Sequence, residues 1–74
     1  MEYTRITSAS QLAEEVRKVR KEQGITSEKL GQYADLSRYA VLNFENQKSD
    51  IKLSTLLKIL KLCNIEIYIK VKRK

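Results

Sequence analysis

Apolar side chains recur at helical spacing along most of the chain and switch to strict alternation near its end. Leu12, Val16 and Val19 share one face of a segment whose other face carries Glu14, Glu15, Arg17, Lys18 and Lys21, the pattern of an amphipathic helix. Ser8 and Gln11 stand at capping-box spacing at its start, and Gly24 stands where a left-handed residue commonly ends a helix. Thr26 is placed to cap a second, short helix, with Glu28 in its first turn and Leu30 and Tyr33 or Ala34 turned inward. Ala34-Asp35-Leu36-Ser37 reads as a turn with a fresh cap at Ser37. Ala40, Val41 and Phe44 then form the inward stripe of a third helix that ends near Asn46.

After the polar loop 46–50, Leu53, Leu56, Leu57 and Leu60 repeat at helical spacing, and Ile59, Leu62 and Cys63 widen the apolar arc. That arc is wider than one small core can cover, so part of it is expected to face a second subunit. In the last segment Ile65, Ile67, Ile69 and Val71 alternate with Glu66, Tyr68, Lys70 and Lys72, the pattern of a half-buried strand. A lone strand leaves its N–H and C=O groups without partners. The stretch Tyr3-Thr4-Arg5-Ile6 is the only other candidate neighbour, and the same strand of a second copy across a two-fold axis is the more economical one. The expected dimer interface is therefore Ile59, Leu62, Cys63, Ile65, Ile67, Ile69 and Val71. The expected division is an N-terminal segment 1–7, in which a short strand could form, a helical domain 8–63, and a dimerisation strand with a basic end, 64–74.

Composition narrows the function. A chain of 74 residues buries only about 60% of the surface it would expose unfolded, which leaves room for one small core. With no His and one Cys (Cys63), there is no intrachain disulfide, no Cys/His zinc set and no imidazole base. Gly24 and Gly31 are the only glycines, so no Gly-rich phosphate loop can be written. The expectation is a protein that is not an enzyme and uses no metal or cofactor. No apolar run approaches the ~20 residues of a membrane span, and the N-terminus lacks the apolar stretch of a secretory signal, which predicts a soluble, cytoplasmic protein without a membrane partner. Acidic and basic side chains balance over residues 1–51. Lys52, Lys58, Lys61, Lys70, Lys72, Arg73 and Lys74 against Glu66 account for the net charge of +6, a balance that suggests a polyanionic partner such as nucleic acid.

Two short helices joined by a tight turn, the second starting at its own cap, make a helix-turn-helix. With Ala40, Val41 and Phe44 inward, the opposite face of the third helix presents Ser37, Arg38, Tyr39, Leu42 and Asn43, and the N-terminal part of such a helix enters the major groove. Arg38 can fork onto guanine or a phosphate, Asn43 can bond adenine bidentately, Leu42 can meet a thymine methyl, and Tyr39 can stack on sugar or bond a phosphate. The N–H groups at the starts of the second and third helices, with the Ser27 and Ser37 hydroxyls, are natural phosphate ligands; they position the protein without reading sequence.

Arg20, Gly24, Thr26, Leu30, Ser37, Val41, Phe44, Glu45 and Asn46 stand where the phage-repressor-like (XRE) helix-turn-helix proteins place their recurring residues, and the resemblance covers about residues 10–63. The additions "NFEN", "LSTLLKILK" and "IEIYIKVK" look like the HipB-type antitoxins, which repress their own operon and bind a HipA-like Ser/Thr kinase toxin. The resemblance implies an all-α, four- to five-helix, lambda-repressor-like domain with one C-terminal β-strand pairing across a homodimer. It also implies a structural ion pair between Arg20 and Glu45, phosphate contacts from Asn46, Gln47 and Lys48, and a palindromic double-stranded operator with half-sites about one helical turn, roughly 34 Å, apart.

The chain departs from the family pattern at four places. Asp35 takes the turn position usually held by Gly, Gly31 replaces a small Ala, Lys29 stands where Glu would complete a capping box, and Leu42 replaces a small polar residue on the reading face. Two other readings fit the residues: a stand-alone phage- or restriction-type regulator, and a protein-binding module in which the motif no longer binds DNA.

Overall fold

The first three helices start at their capping side chains, and the fourth starts without one. A computed structural model describes residues 2–73 and contains α1 (Ala9–Glu22), α2 (Ser27–Ala34), α3 (Arg38–Glu45) and α4 (Leu53–Leu62). Among the described residues there is no strand, and the fold is all-α. Met1 and Lys74, which the sequence reading assigned to the terminal segments, lie outside the described residues. Ser8, Thr26 and Ser37 each accept a hydrogen bond at 3.1 Å from the backbone N–H three residues on, those of Gln11, Lys29 and Ala40. Each satisfies one of the donors that a helix start leaves unpaired. At α1 the return half of the box is displaced by one residue, because the Gln11 side chain accepts from the Thr7 N–H at 2.9 Å and donates to the Arg5 carbonyl at 2.7 Å. That bond ties the N-terminal segment to the helix.

All four helices end in the same way, on a left-handed residue: Gly24, Asp35, Gln47 and Asn64, with φ of 69°, 58°, 63° and 58°. In each case the following N–H folds back onto the helix: Ile25 to the Arg20 carbonyl, Leu36 to Gly31, Lys48 to Asn43 and Ile65 to Leu60. These are Schellman-type closures, and only one of them uses glycine.

The core is Ala13, Val16, Leu30, Ala34, Val41, Phe44, Ile59, Leu60 and Cys63. It lies where α2 packs on both α3 and α4 while α1 packs on α3. Of the first helix's expected stripe, Val16 is fully buried and Leu12 and Val19 are half-buried, and in the second helix Ala34 rather than Tyr33 faces inward.

Two expectations about the C-terminal third change. Ile59 and Cys63, assigned to a subunit interface, are both 0% exposed within the single chain. Each completes the core of the single chain and has no surface to offer another copy. Leu62 and Ile65 are half-buried at the edge of that core. The large apolar side chains of α4 left exposed are Leu53 and Leu57. The strand expected over residues 65–71 is not formed in the single chain. Tyr3 packs edge-on against Tyr68, with ring centroids 5.1 Å apart, but the N-terminal stretch makes no ladder with it, and Ile67, Ile69 and Val71 are exposed.

Candidate nucleic-acid interface

The turn between α2 and α3 sets where the exposed helix face points. Asp35 in the left-handed region reverses the chain, and the Leu36 N–H closes onto the Gly31 carbonyl at 2.7 Å. The reversal brings the Leu36 carbonyl so near α2 that a Cβ on Gly31 would lie 2.5 Å from its oxygen. Gly31 is therefore not merely a weak helix former in place of Ala: at this turn only a residue without a Cβ fits.

The buried side of α3 is anchored by Val41, Phe44 and Glu45. Glu45 takes a two-pronged grip from Arg20, with Nε to Oε2 at 2.7 Å and Nη2 to Oε1 at 2.9 Å, while Nη1 donates to the Ile25 carbonyl at 2.8 Å. One guanidinium thereby joins the end of α1, the turn after it and the end of α3. Its bond to Glu45 raises the Arg20 pKa, against the opposing effect of burial, so the guanidinium stays charged. A buried ion pair with every prong satisfied fixes geometry more than it adds stability. The end of α1 is also fastened to the end of α4, where the Gln23 amide donates to the Cys63 carbonyl. Gln23 was not singled out from sequence, because its partner lies forty positions along the chain and forms no local pattern.

On the outer side Ser37, Arg38, Tyr39 and Asn43 are exposed, Tyr39 by 75%, and Leu42 is half-buried. The four base-reading candidates thus share one face with the cap. Ser37 Oγ already accepts from Ala40, which leaves its hydroxyl hydrogen free to donate outward. Ser27, at the start of α2, is half-buried, and Asn46, Gln47 and Lys48 are exposed just beyond α3. The N–H groups of Asn46, Gln47 and Lys48 are taken by the carbonyls of Leu42, Phe44 and Asn43. Of these three residues only the side chains are left to reach a phosphate. No group of His, Cys, Asp or Glu among the described residues could hold a metal, and no helix of the structure is long and apolar enough to cross a membrane.

Arg38 does not stand free. Its Nη1 lies 3.7 Å from Oε1 of Glu28 in the first turn of α2, a partner that sequence reading assigned only to the helix dipole. The two are ten positions apart, and only the folded turn brings them together.

No curated protein sequence matches the chain. Among solved structures, a HipB variant in complex with an O2 20mer is 26% identical over 97% of this chain and 100% of that one, with a TM-score of 0.82. A HipA-HipB-O2-O3 complex is 27% identical over 96% and 100%, also at 0.82. The restriction-modification controller protein C.AhdI from Aeromonas hydrophila is similar in fold, at 24% identity over 78% of this chain and 88% of that one and a TM-score of 0.71. The helix-turn-helix family model matches residues 16–69, which take in all of α2, α3 and α4, the Gly31 turn and the Arg20–Glu45 clamp. The fold is the one seen in HipB and other DNA-binding regulators, and the chain belongs to the XRE-like helix-turn-helix family.

Proposed function

We propose that the protein is a homodimeric, sequence-specific transcriptional repressor that autoregulates its operon and serves as the antitoxin of a HipBA-like system. The observation that carries this reading is the outer face of α3. Arg38, Tyr39, Leu42 and Asn43 lie together on a helix whose inner face is locked by Val41, Phe44 and the Arg20–Glu45 pair. A rigid helix with an exposed, donor-bearing N-terminal half is what the major groove accepts. Arg38, Tyr39, Leu42 and Asn43 read bases. The side chains of Ser27, Ser37, Asn46, Gln47 and Lys48 hold the flanking phosphates.

The likeness to HipB supports the finer reading because it runs over nearly the whole chain, the segment after α4 included, and because those relatives are seen with an O2 20mer and with HipA. The homodimer rests on the exposed Ile67, Ile69 and Val71, which a second copy of the same segment would cover. The second partner is a HipA-like kinase toxin.

The test is fluorescence anisotropy of the purified full chain on the duplex upstream of its own coding sequence, at two salt concentrations, against a random duplex of equal length. The expected preference is on the order of 10³-fold or more. Equal affinity for both duplexes would defeat the repressor reading. The antitoxin role requires that the product of an adjacent open reading frame with a kinase-like catalytic loop co-purify with this chain and lose activity on binding it.

A further inference from the structure

The pairing of Glu28 with Arg38 is not required by the fold. Both side chains are mostly exposed, 69% and 59%, at 3.7 Å. The two helices that carry them are already locked by the Gly31 turn and the buried Val41. The pair therefore sits on the recognition surface with no structural task there beyond the favourable place of an acid in the first turn of α2.

We propose that Glu28 is a positioning residue that determines specificity through Arg38, a role that rests on the DNA-binding reading above. A guanidinium is planar, with donors along more than one edge. With Nη1 beside the Glu28 carboxylate, the Nε and Nη2 donors remain to meet the O6 and N7 acceptors of guanine. A guanine edge is uncharged and tolerates the nearby carboxylate. A phosphate carries a full negative charge, and Glu28 repels it from the same position. The carboxylate thus favours use of Arg38 on a base and disfavours its use on the backbone. Acidic and basic side chains balance over residues 1–51, so this part of the chain adds little sequence-independent attraction to offset that bias.

The test is a double-mutant cycle of Glu28→Gln and Arg38→Ala in the full chain. Affinity is read by anisotropy on the upstream duplex and on random duplex, under conditions where circular dichroism shows each variant folded. Glu28→Gln should lower the preference for the upstream duplex by roughly three- to fivefold, mostly by tightening binding to random DNA. In the Arg38→Ala background the same change should leave the preference unaltered. An unaltered preference in the wild-type background overturns the proposal. So does an equal change in both backgrounds, which would make Glu28 only a diffuse negative charge. If the wild type itself shows no preference, the repressor reading falls and takes this inference with it. If only the cycle fails, the repressor reading stands.

Discussion

Arg20 and Glu45 are the buried charges of the core, 7% and 3% exposed, and each is tolerable only because the other is there. Removing one leaves an uncompensated charge in a low-dielectric site. Glu45→Ala should therefore destabilise the protein by about 3–5 kcal/mol in urea unfolding, whereas the double change Arg20→Met with Glu45→Leu should cost much less. A double variant as unstable as the single one would refute that account. Cys63 contributes in a different way. Burial pushes its thiol pKa up, only partly offset by Arg20, so the folded chain keeps this proton at a pH where the unfolded chain gives it up. The stability tied to the buried thiol is complete below the ordinary thiol pKa and declines as pH rises through it toward the folded value. The stability difference between wild type and Cys63→Ala, measured by urea unfolding, should accordingly shrink on going from neutral to alkaline pH. A difference independent of pH would mean that the thiol does not titrate differently in the two states.

The helices are held less by propensity than by their ends. Three of the four left-handed closures use Asp35, Gln47 and Asn64 where glycine would be unstrained, and for an L-residue that conformation costs roughly 1–2 kcal/mol, less for Asp and Asn. Gln47→Gly should therefore stabilise the fold by up to about 1 kcal/mol in thermal or urea unfolding. If the Gln47 side chain holds a phosphate, the same variant should bind the upstream duplex more weakly, a divergence that a purely structural role would not produce. At the turn that aims α3 the opposite holds. Gly31→Ala would place its Cβ 2.5 Å from the Leu36 carbonyl oxygen, which is backbone and cannot swing aside. That substitution should cost about 1–3 kcal/mol and also reorient Ser37 and Arg38, so that DNA affinity falls further than stability accounts for. Alanine tolerated without loss of either would show that the turn can relax.

At the scale of the molecule, apolar surface remains where one chain cannot cover it. Ile67, Ile69 and Val71 stand 52%, 87% and 65% exposed, and α4 adds Leu53 and Leu57. Ile65, by contrast, packs against the core and closes α4 through its N–H, so the segment that can serve a second copy begins after it. If residues 67 onward pair two copies as proposed, deleting them should leave the four helices folded but give a monomer, with much weaker binding to a two-half-site duplex because the avidity of linked half-sites is lost. Sedimentation would check the first effect and anisotropy the second. A truncated chain that still sediments as a dimer would place the interface on α4, at Leu53 and Leu57.

How much was legible in advance follows from how local each feature is. The sequence by itself determined the four helices, because caps, Gly24 and the apolar stripes act within three or four residues of one another. It also determined the composition of the α3 outer face, since inward and outward positions follow from helical period once Val41 and Phe44 are core. The tertiary structure decided what depends on distant pairs. Ile59 and Cys63 turned from interface to core because α2 lies against α4. Gly31 turned from a weak helix residue into a steric requirement because the Leu36 carbonyl folds over it. Gln23 and Glu28 acquired partners forty and ten positions away, which no periodicity encodes. A hydrophobic period specifies which side of an element is buried, and only packing specifies what it is buried against.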